Sequence, residues 1–208
     1  MRPTRLLLLT GLLASSAALA QSNVRISYEF AVPTHETKDF IDRFSSRGAH
    51  LDVSLELSYA FNLELSAGLN SFNAVKQGLL TTTDGQDVSG KQFRYLNVIP
   101  LMGGFAWHIP LGHGSRLWAG VNGGAAYFDR VIDVGLNEYT ASDWQWGVQP
   151  HVGIAFGLDK GTALFFDGRW NYFWERHGMP AQQYFSFGVG LLFGGSGNGS
   201  AKSSSTHK

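Results

Sequence analysis

Apolar and polar residues alternate without interruption in Leu51-Asp52-Val53-Ser54-Leu55-Glu56-Leu57-Ser58-Tyr59. Successive side chains of a strand point to opposite faces, so this segment predicts a β-strand with one greasy face and one face of Asp, Ser and Glu. The same period of two recurs from Val24 onward in segments of roughly ten residues. The sequence therefore predicts an all-β protein.

Eight segments carry this alternation, and the connections between them differ in length. Long polar connections alternate with tight turns near Asn62, at 110–115 and at 158–161. Long and short connections then lie at opposite ends of the sheet, an asymmetry typical of outer-membrane barrels. The predicted strands are 24–32, 51–59, 63–72, 93–109, 117–127, 144–156, 164–174 and 184–193, and the long connections are 33–48, 73–91 and 128–142, with a shorter one at 175–181.

Composition removes several classes of function. The chain has 208 residues, 26 of them glycine, and a net charge of zero, which suits one domain and gives no basic surface for nucleic acid. It has no cysteine, which excludes disulfides, thiolate metal sites and a lipoprotein anchor. No metal or phosphate-binding motif is present, so we expect no cofactor.

The termini differ from the middle of the chain. Residues 1–20 have two arginines, the apolar run 6–13 and Ala18-Leu19-Ala20, the layout of a secretory signal peptide. The run is shorter than the roughly 20 residues of a membrane-spanning helix. We expect the mature domain to cover 21–193, followed by a disordered Gly/Ser/Lys tail at 194–208.

Two features favour a membrane over water as the surroundings of these strands. The small face mixes Gly, Ala and Ser with single charges, which suits the narrow lumen of an eight-stranded barrel. Aromatic residues fall at strand ends on the apolar face, where rings at headgroup depth form girdles. In hydrocarbon an unpaired backbone group costs several kcal/mol, so the sheet must close. We predict an eight-stranded antiparallel up-and-down transmembrane β-barrel with girdle residues Tyr28, Tyr59, Trp107, Tyr127, Trp144, Trp146, Tyr172 and Trp174.

Two segments carry a resemblance to a known family. Tyr95-Leu96-Asn97-Val98-Ile99-Pro100-Leu101-Met102-Gly103-Gly104-Phe105 resembles the fourth strand of the outer membrane protein β-barrel domain families, relatives of the small OmpA/OmpX-type barrels. Residues 184–193 are similar to their final strand, which ends in Phe and is recognised by the insertion machinery. In many relatives that Phe ends the chain, whereas here 194–208 follow. The resemblance implies an outer-membrane location, with outer-membrane lipid and the insertion machinery as partners, and we expect both mature termini in the periplasm.

Charged residues on the small face should pair inside the barrel, because an unpaired buried charge is expensive. Such a network is either a plug that stabilises the barrel or a gate that lines a narrow pore. We expect Arg94 or Arg169 to neutralise Glu56 and Glu64, and bulges at Pro100 and Pro150. The predicted network is Arg25, Glu29, Asp52, Glu56, Glu64, Arg94, Asp167 and Arg169.

The sequence favours a non-enzymatic protein whose outer loops carry recognition. One alternative is a barrel enzyme acting on envelope lipids. His177 is the best candidate for such chemistry, although a solvated loop histidine has the same pattern, and His151 has no serine at neighbouring-strand spacing. A second alternative is a soluble periplasmic barrel that binds a ligand.

Overall fold

The computed structural model describes residues 22–58, 60–81, 87–135, 137–159 and 161–194. The predicted signal peptide, Tyr59 and the tail beyond Gly194 lie outside these residues. Within them, no helix has the length and apolar character needed to cross a membrane.

Eight strands form one closed ring in which each strand pairs with the next and the eighth pairs with the first. All eight pairings are antiparallel, which confirms the predicted up-and-down barrel. A short helix, α1 (His35–Phe40), follows the first strand. The strands are β1 (Ser22–Thr34), β2 (Ser45–Glu56), β3 (Phe61–Thr81), β4 (Asp87–Gly112), β5 (Ser115–Val134), β6 (Asn137–Asp159), β7 (Thr162–Phe173) and β8 (Gln182–Gly194).

In the middle of the barrel, polar side chains point into the ring and large apolar ones point out. In β2, Asp52 and Ser54 are buried while Leu51 is 43% exposed. The same arrangement holds around the barrel, where Val121 on β5 is 53% exposed and Phe187 on β8 is 52% exposed. A soluble barrel needs the opposite arrangement, because its apolar face must be withdrawn from water. The soluble alternative is therefore wrong.

The two ends of the barrel are unlike. At the turn end the strands are joined through 57–60, 113–114 and 160–161, whereas β1–β2, β3–β4, β5–β6 and β7–β8 are joined at the loop end. His113 and Gly114 both have positive φ, 51° and 74°, as a two-residue hairpin turn with the twist of the strands requires. The first and last described residues pair with partners at the turn end.

Two of the predicted long loops are mostly strand. β3 and β4 stay paired to Thr81 and Asp87, and β5 and β6 stay paired to Val134 and Asn137. The prediction of loops at 73–91 and 128–142 is wrong because polar side chains do not stop backbone pairing once a ladder is established. The first connection, by contrast, leaves the sheet and contains α1.

Neither proline produces the predicted bulge. The β3–β4 register passes from Ala67↔Leu101 to Asn70↔Val98 and skips two pairs at Pro100 without a shift. The β6–β7 register likewise passes from Val148↔Tyr172 to His151↔Arg169 across Pro150. Proline lacks the N–H that a ladder hydrogen bond needs. Here the strand pairing is interrupted over two residues, and neither strand has the extra residue of a bulge.

The interior has three layers of different chemistry. A charged belt occupies the middle and consists of Arg25, Glu29, His50, Asp52, Glu64, His151, Asp167 and Arg169, all buried. An apolar loop-end layer includes Phe40, Ile41, Phe72, Leu96, Val98, Phe128, Phe173 and Tyr184. An apolar turn-end layer consists of Trp118, Ala155, Ala163, Phe165 and Leu192. The expected network of paired charges therefore lies at the middle depth of the lumen.

Trp118 is the largest fully buried side chain. Its ring stacks on His108 with centroids 6.1 Å apart and meets Phe165 edge-on at 5.9 Å. The Arg25 guanidinium carbon lies 4.8 Å from the Trp118 ring centre, so the indole is also the boundary between the turn-end layer and the charged belt. A Cβ atom at Gly153 would collide with this ring, which explains the glycine there.

Candidate functional site

Arg169 is the centre of the charged belt. Its guanidinium donates to Asp52 Oδ2 at 2.7 Å and Oδ1 at 3.1 Å, a bidentate pairing between β7 and β2. The same group also pairs with Asp167, and its Nε lies 3.3 Å from Glu29 Oε1. One cation thus holds three buried carboxylates together.

Arg25 organises the other side of the belt. It donates to Glu64 Oε1 at 2.8 Å, and its Nε lies 3.4 Å from Asp52 Oδ2. His151 Nε2 lies 3.0 Å from the second Glu64 oxygen, and the Ser54 hydroxyl donates to the first at 3.2 Å. The partners of Glu64 are therefore Arg25, His151 and Ser54, and not Arg94 or Arg169 as the sequence analysis expects.

His50 belongs to the Arg169 side of the belt and was missed at the sequence level. Its Nε2 lies 2.9 Å from Arg169 Nη1 and its Nδ1 lies 3.4 Å from Glu29 Oε1. Its Nε2 also lies 3.4 Å from Asp52 Oδ1, so the imidazole faces one arginine and two carboxylates. Period-two alternation puts His50 on the face of Asp52 and Ser54, and that signal would have found it.

Two predicted members lie away from the belt. Glu56 is exposed near the turn end, where its Oε1 accepts a hydrogen bond from Asn23 Nδ2 at 3.2 Å. Arg94 lies at the loop end and donates to Gln92 Oε1 and to the Phe40 carbonyl. The belt occupies a single depth, whereas residues on the same face of a long strand are spread along the whole lumen.

The loop end is covered by α1 and the residue that follows it. Phe40 and Ile41 are buried in the loop-end layer. The Thr37 hydroxyl donates to Gln182 Oε1 at 3.1 Å and accepts the Gln183 N–H at 2.7 Å, which fixes the helix to β8. The first connection is therefore part of the interior packing.

A groove remains open beside this cover. It consists of two hollows of about 540 and 470 Å³ that share Arg130, Thr140 and Ala141. We call it the loop-end groove. Its further walls are Ser142, Asp143, His177, Gly178 and Met179 at one end and Phe40, Ile132, Glu138 and Tyr139 at the other.

The histidine singled out in the sequence lies in this groove. His177 Nδ1 donates to Asp143 Oδ2 at 2.7 Å, and the Asp143 Oδ1 accepts the Trp144 N–H at 2.7 Å. The pKa of Asp143 lies below its ordinary value: desolvation acts to raise it, but the Trp144 N–H, the His177 ring and the charge of Arg176 outweigh that effect. None of the described hydroxyl groups hydrogen-bonds to His177.

No protein-family model and no curated protein sequence matches the chain. Solved structures do. Neisserial surface protein A covers 83% of this chain and 96% of its own, at 9% identity and a TM-score of 0.55. The chain folds as a small outer-membrane β-barrel. At this identity the likeness defines the fold of the barrel alone.

Two other solved barrels are similar at lower TM-scores. Ail, the attachment invasion locus protein of Yersinia pestis, in complex with the heparin analogue sucrose octasulfate, covers 83% of the chain and 98% of its own at 11% identity, with a TM-score of 0.49. The N-terminal β-barrel domain of Pseudomonas aeruginosa OprF covers 83% and 98% at 13% identity, with a TM-score of 0.43.

The outer surface of this outer-membrane barrel faces lipid, and seven of the eight predicted girdle residues are among those described. Trp107 lies near the turn end and is 58% exposed. Four others touch in pairs: Tyr127 and Trp144 have centroids 5.6 Å apart, as do Tyr172 and Trp174. The remaining two of the seven are Tyr28 and Trp146, and Tyr59 lies outside the described residues.

Within the described residues, no three or more His, Asp or Glu side chains are grouped so that they could hold a metal ion. The belt carboxylates are engaged with arginine and histidine instead. The belt can link strands across the lumen through its ion pairs, and the loop-end groove has room for a ligand.

Proposed function

We propose that this chain is a non-enzymatic integral outer-membrane protein whose filled barrel anchors a recognition surface at the loop end. The observation that carries the proposal is the packing of the lumen: buried side chains occupy it at three depths, and the belt charges are paired with one another. A filled barrel suits a scaffold better than a channel. Recognition then belongs to the loop end.

The proposal orients the barrel with its loop end outside the cell and its termini in the periplasm. Short turns at one end and extended hairpins at the other support that orientation. β8 would be the contact of the insertion machinery, since its lipid face presents Phe185, Phe187 and Phe193. Protease treatment of intact cells should cleave within the β3–β4 hairpin and spare the 113–114 turn.

Conductance is the direct test. The purified protein in planar bilayers should show no stable ion current, because Phe72 and Phe128 pack the lumen on one side of the belt and Trp118 packs it on the other. A steady single-channel current from the wild-type protein would overturn the proposal. Trp118→Ala is the positive control: it removes the largest turn-end side chain, so an ion current is expected from this variant.

An envelope-lipid enzyme is the second candidate, and one observation favours it. The His177–Asp143 hydrogen bond has the form of an oriented general base, and it lies in a groove that also includes Ser142. The lipid A profile of cells that produce the wild type should match that of cells that produce His177→Ala. A lipid species that appears only with the wild type would establish the enzyme.

A further inference from the structure

Two arginines stand side by side at the loop end. Arg94 on β4 pairs with Ile132, and Arg130 on β5 pairs with Leu96, so the two side chains leave neighbouring strands on the lumen face. Both guanidinium groups lie over the Phe40 ring, with carbon-to-centroid distances of 5.4 Å for Arg94 and 3.9 Å for Arg130. The ring holds two positive charges close together.

Neither charge is neutralised by the part of the chain that the structure describes. No carboxylate oxygen of the described residues lies within 4.0 Å of either guanidinium. Arg94 donates to the neutral acceptors Gln92 Oε1 at 2.7 Å and Phe40 O at 3.2 Å. Arg130 has its contact with Phe40 and no hydrogen bond to any described residue.

The two arginines are partly buried and repel each other. Burial, followed by the charge of Arg94, lowers the pKa of Arg130. Burial also lowers the pKa of Arg94, and the charge of Asp42 acts in the opposite direction. Two like charges in a partly dried site attract an anion strongly, since water screens them poorly there.

The loop-end groove gives such an anion a place to sit. Arg130 lines both of its hollows. The two acids in its walls already have partners: Asp143 accepts from His177 and Trp144, and Glu138 accepts from the Thr140 hydroxyl at 3.2 Å. Among the described residues, Arg130 is the only arginine or lysine that lines either hollow.

We propose that the loop-end groove binds the phosphate group of a phosphomonoester ligand, with Arg130 as the direct contact and Arg94 as the supporting charge. This inference rests on the proposed recognition function. Phe40 covers one face of the Arg130 guanidinium and leaves its N–H edges free, the geometry that grips a phosphate with two hydrogen bonds. Tyr139 and Ile132 then contact the rest of the ligand.

Calorimetric titration of the detergent-solubilised full-length protein tests the proposal at low ionic strength. Glucose 1-phosphate is the soluble probe, and vesicles of phosphatidylcholine with or without phosphatidic acid are the headgroup probe. We expect saturable binding of at least one phosphate source, weakened about tenfold or more by Arg130→Gln and less by Arg130→Lys. Glucose should not bind.

Arg47→Gln is the matched control, because Arg47 is an exposed arginine of β2 outside the groove. Each variant must still shift its gel mobility on boiling, which shows that its barrel is closed. Equal affinity of wild type and Arg130→Gln for both probes, or no binding of either, would overturn the phosphate site. The proposed function would still stand after that result if the protein carries no ion current and leaves the lipid A profile unchanged. A steady ion current or a new lipid A species would refute the proposed function, whatever the titration shows.

Discussion

Arg169 on β7 reaches across the lumen to Asp52 on β2, with nitrogen-to-oxygen distances of 2.7 and 3.1 Å. β8 and β1 lie between these strands, so the ion pair joins parts of the ring that share no ladder. Arg25 on β1 reaches Glu64 on β3 in the same way. The belt therefore acts as a set of internal cross-ties.

Arg169→Met should destabilise the barrel strongly. It leaves Asp52, Asp167 and Glu29 without their shared cation, and breaking a buried ion pair in this way costs about 3–5 kcal/mol. Urea unfolding in lipid vesicles, followed by gel mobility without boiling, measures the change. Arg47→Met is the control and should cost less than about 1 kcal/mol. Equal losses for the two variants would mean that the belt contributes little.

Gly153→Ala should destabilise the barrel while Gly168→Ala should not. The new methyl group at 153 would meet the Trp118 ring, which is itself held by Arg25 and Phe165, whereas at 168 the nearest atoms are 3.9 Å away, on Phe187. Overpacking of this kind costs about 1–3 kcal/mol. The midpoint of urea unfolding gives the comparison, and similar midpoints for both variants would contradict the packing described for Trp118.

Leu65→Arg tests whether the outer face is in contact with lipid. Leu65 is 57% exposed on that face, and an arginine near mid-membrane costs about 2–4 kcal/mol in a transmembrane barrel. Gln77→Arg, in the loop-end part of β3, should change the free energy of unfolding little. The pair is measured by equilibrium unfolding in vesicles. A neutral effect of Leu65→Arg would place that face in water.

The link between His177 and Asp143 should be lost in acid. Because the pKa of Asp143 is lowered when the link is formed, the link is favoured above the ordinary aspartate pKa of about 4 and disappears as pH falls through the lowered value. Amide exchange of residues 176–179 should then quicken relative to that of β7. Asp143→Asn should show the faster exchange already at neutral pH, and an unchanged exchange rate in that variant would exclude the link as the cause.

The strand count and the inward and outward faces could be predicted because alternation is a local property. Leu51 and Asp52 differ in polarity and lie on opposite faces, so the pattern of β2 is visible in the sequence. The same reasoning fails for the ends of the lumen. Phe72, Phe128 and Tyr184 point inward although their chemistry matches that of lipid-facing residues. Their side-chain chemistry gives no sign of the lumen, although alternation puts them on the face of the buried residues Asn70, Asn122 and Ser186.

The belt could be predicted in part for a similar reason. The face of Arg25, Glu64 and Arg169 follows from alternation, but their depth depends on the stagger between strands that are far apart in sequence. That stagger separates Arg94 and Glu56 from the belt. It also joins His50 and His151 to it, and no motif in the sequence marks either histidine.

The two proline sites divide the wall of the barrel. The skipped pairs at Pro100 and Pro150 fall on the β3–β4 and β6–β7 ladders, whereas the β4–β5 and β5–β6 ladders between them are continuous across these depths. The barrel wall thus consists of two parts, β4–β6 and the five strands β7, β8 and β1–β3, which are joined along two ladders with missing pairs. When the barrel is pulled apart by force, we expect the β3–β4 and β6–β7 ladders to break first. The wall should then separate as two groups of strands and not one strand at a time.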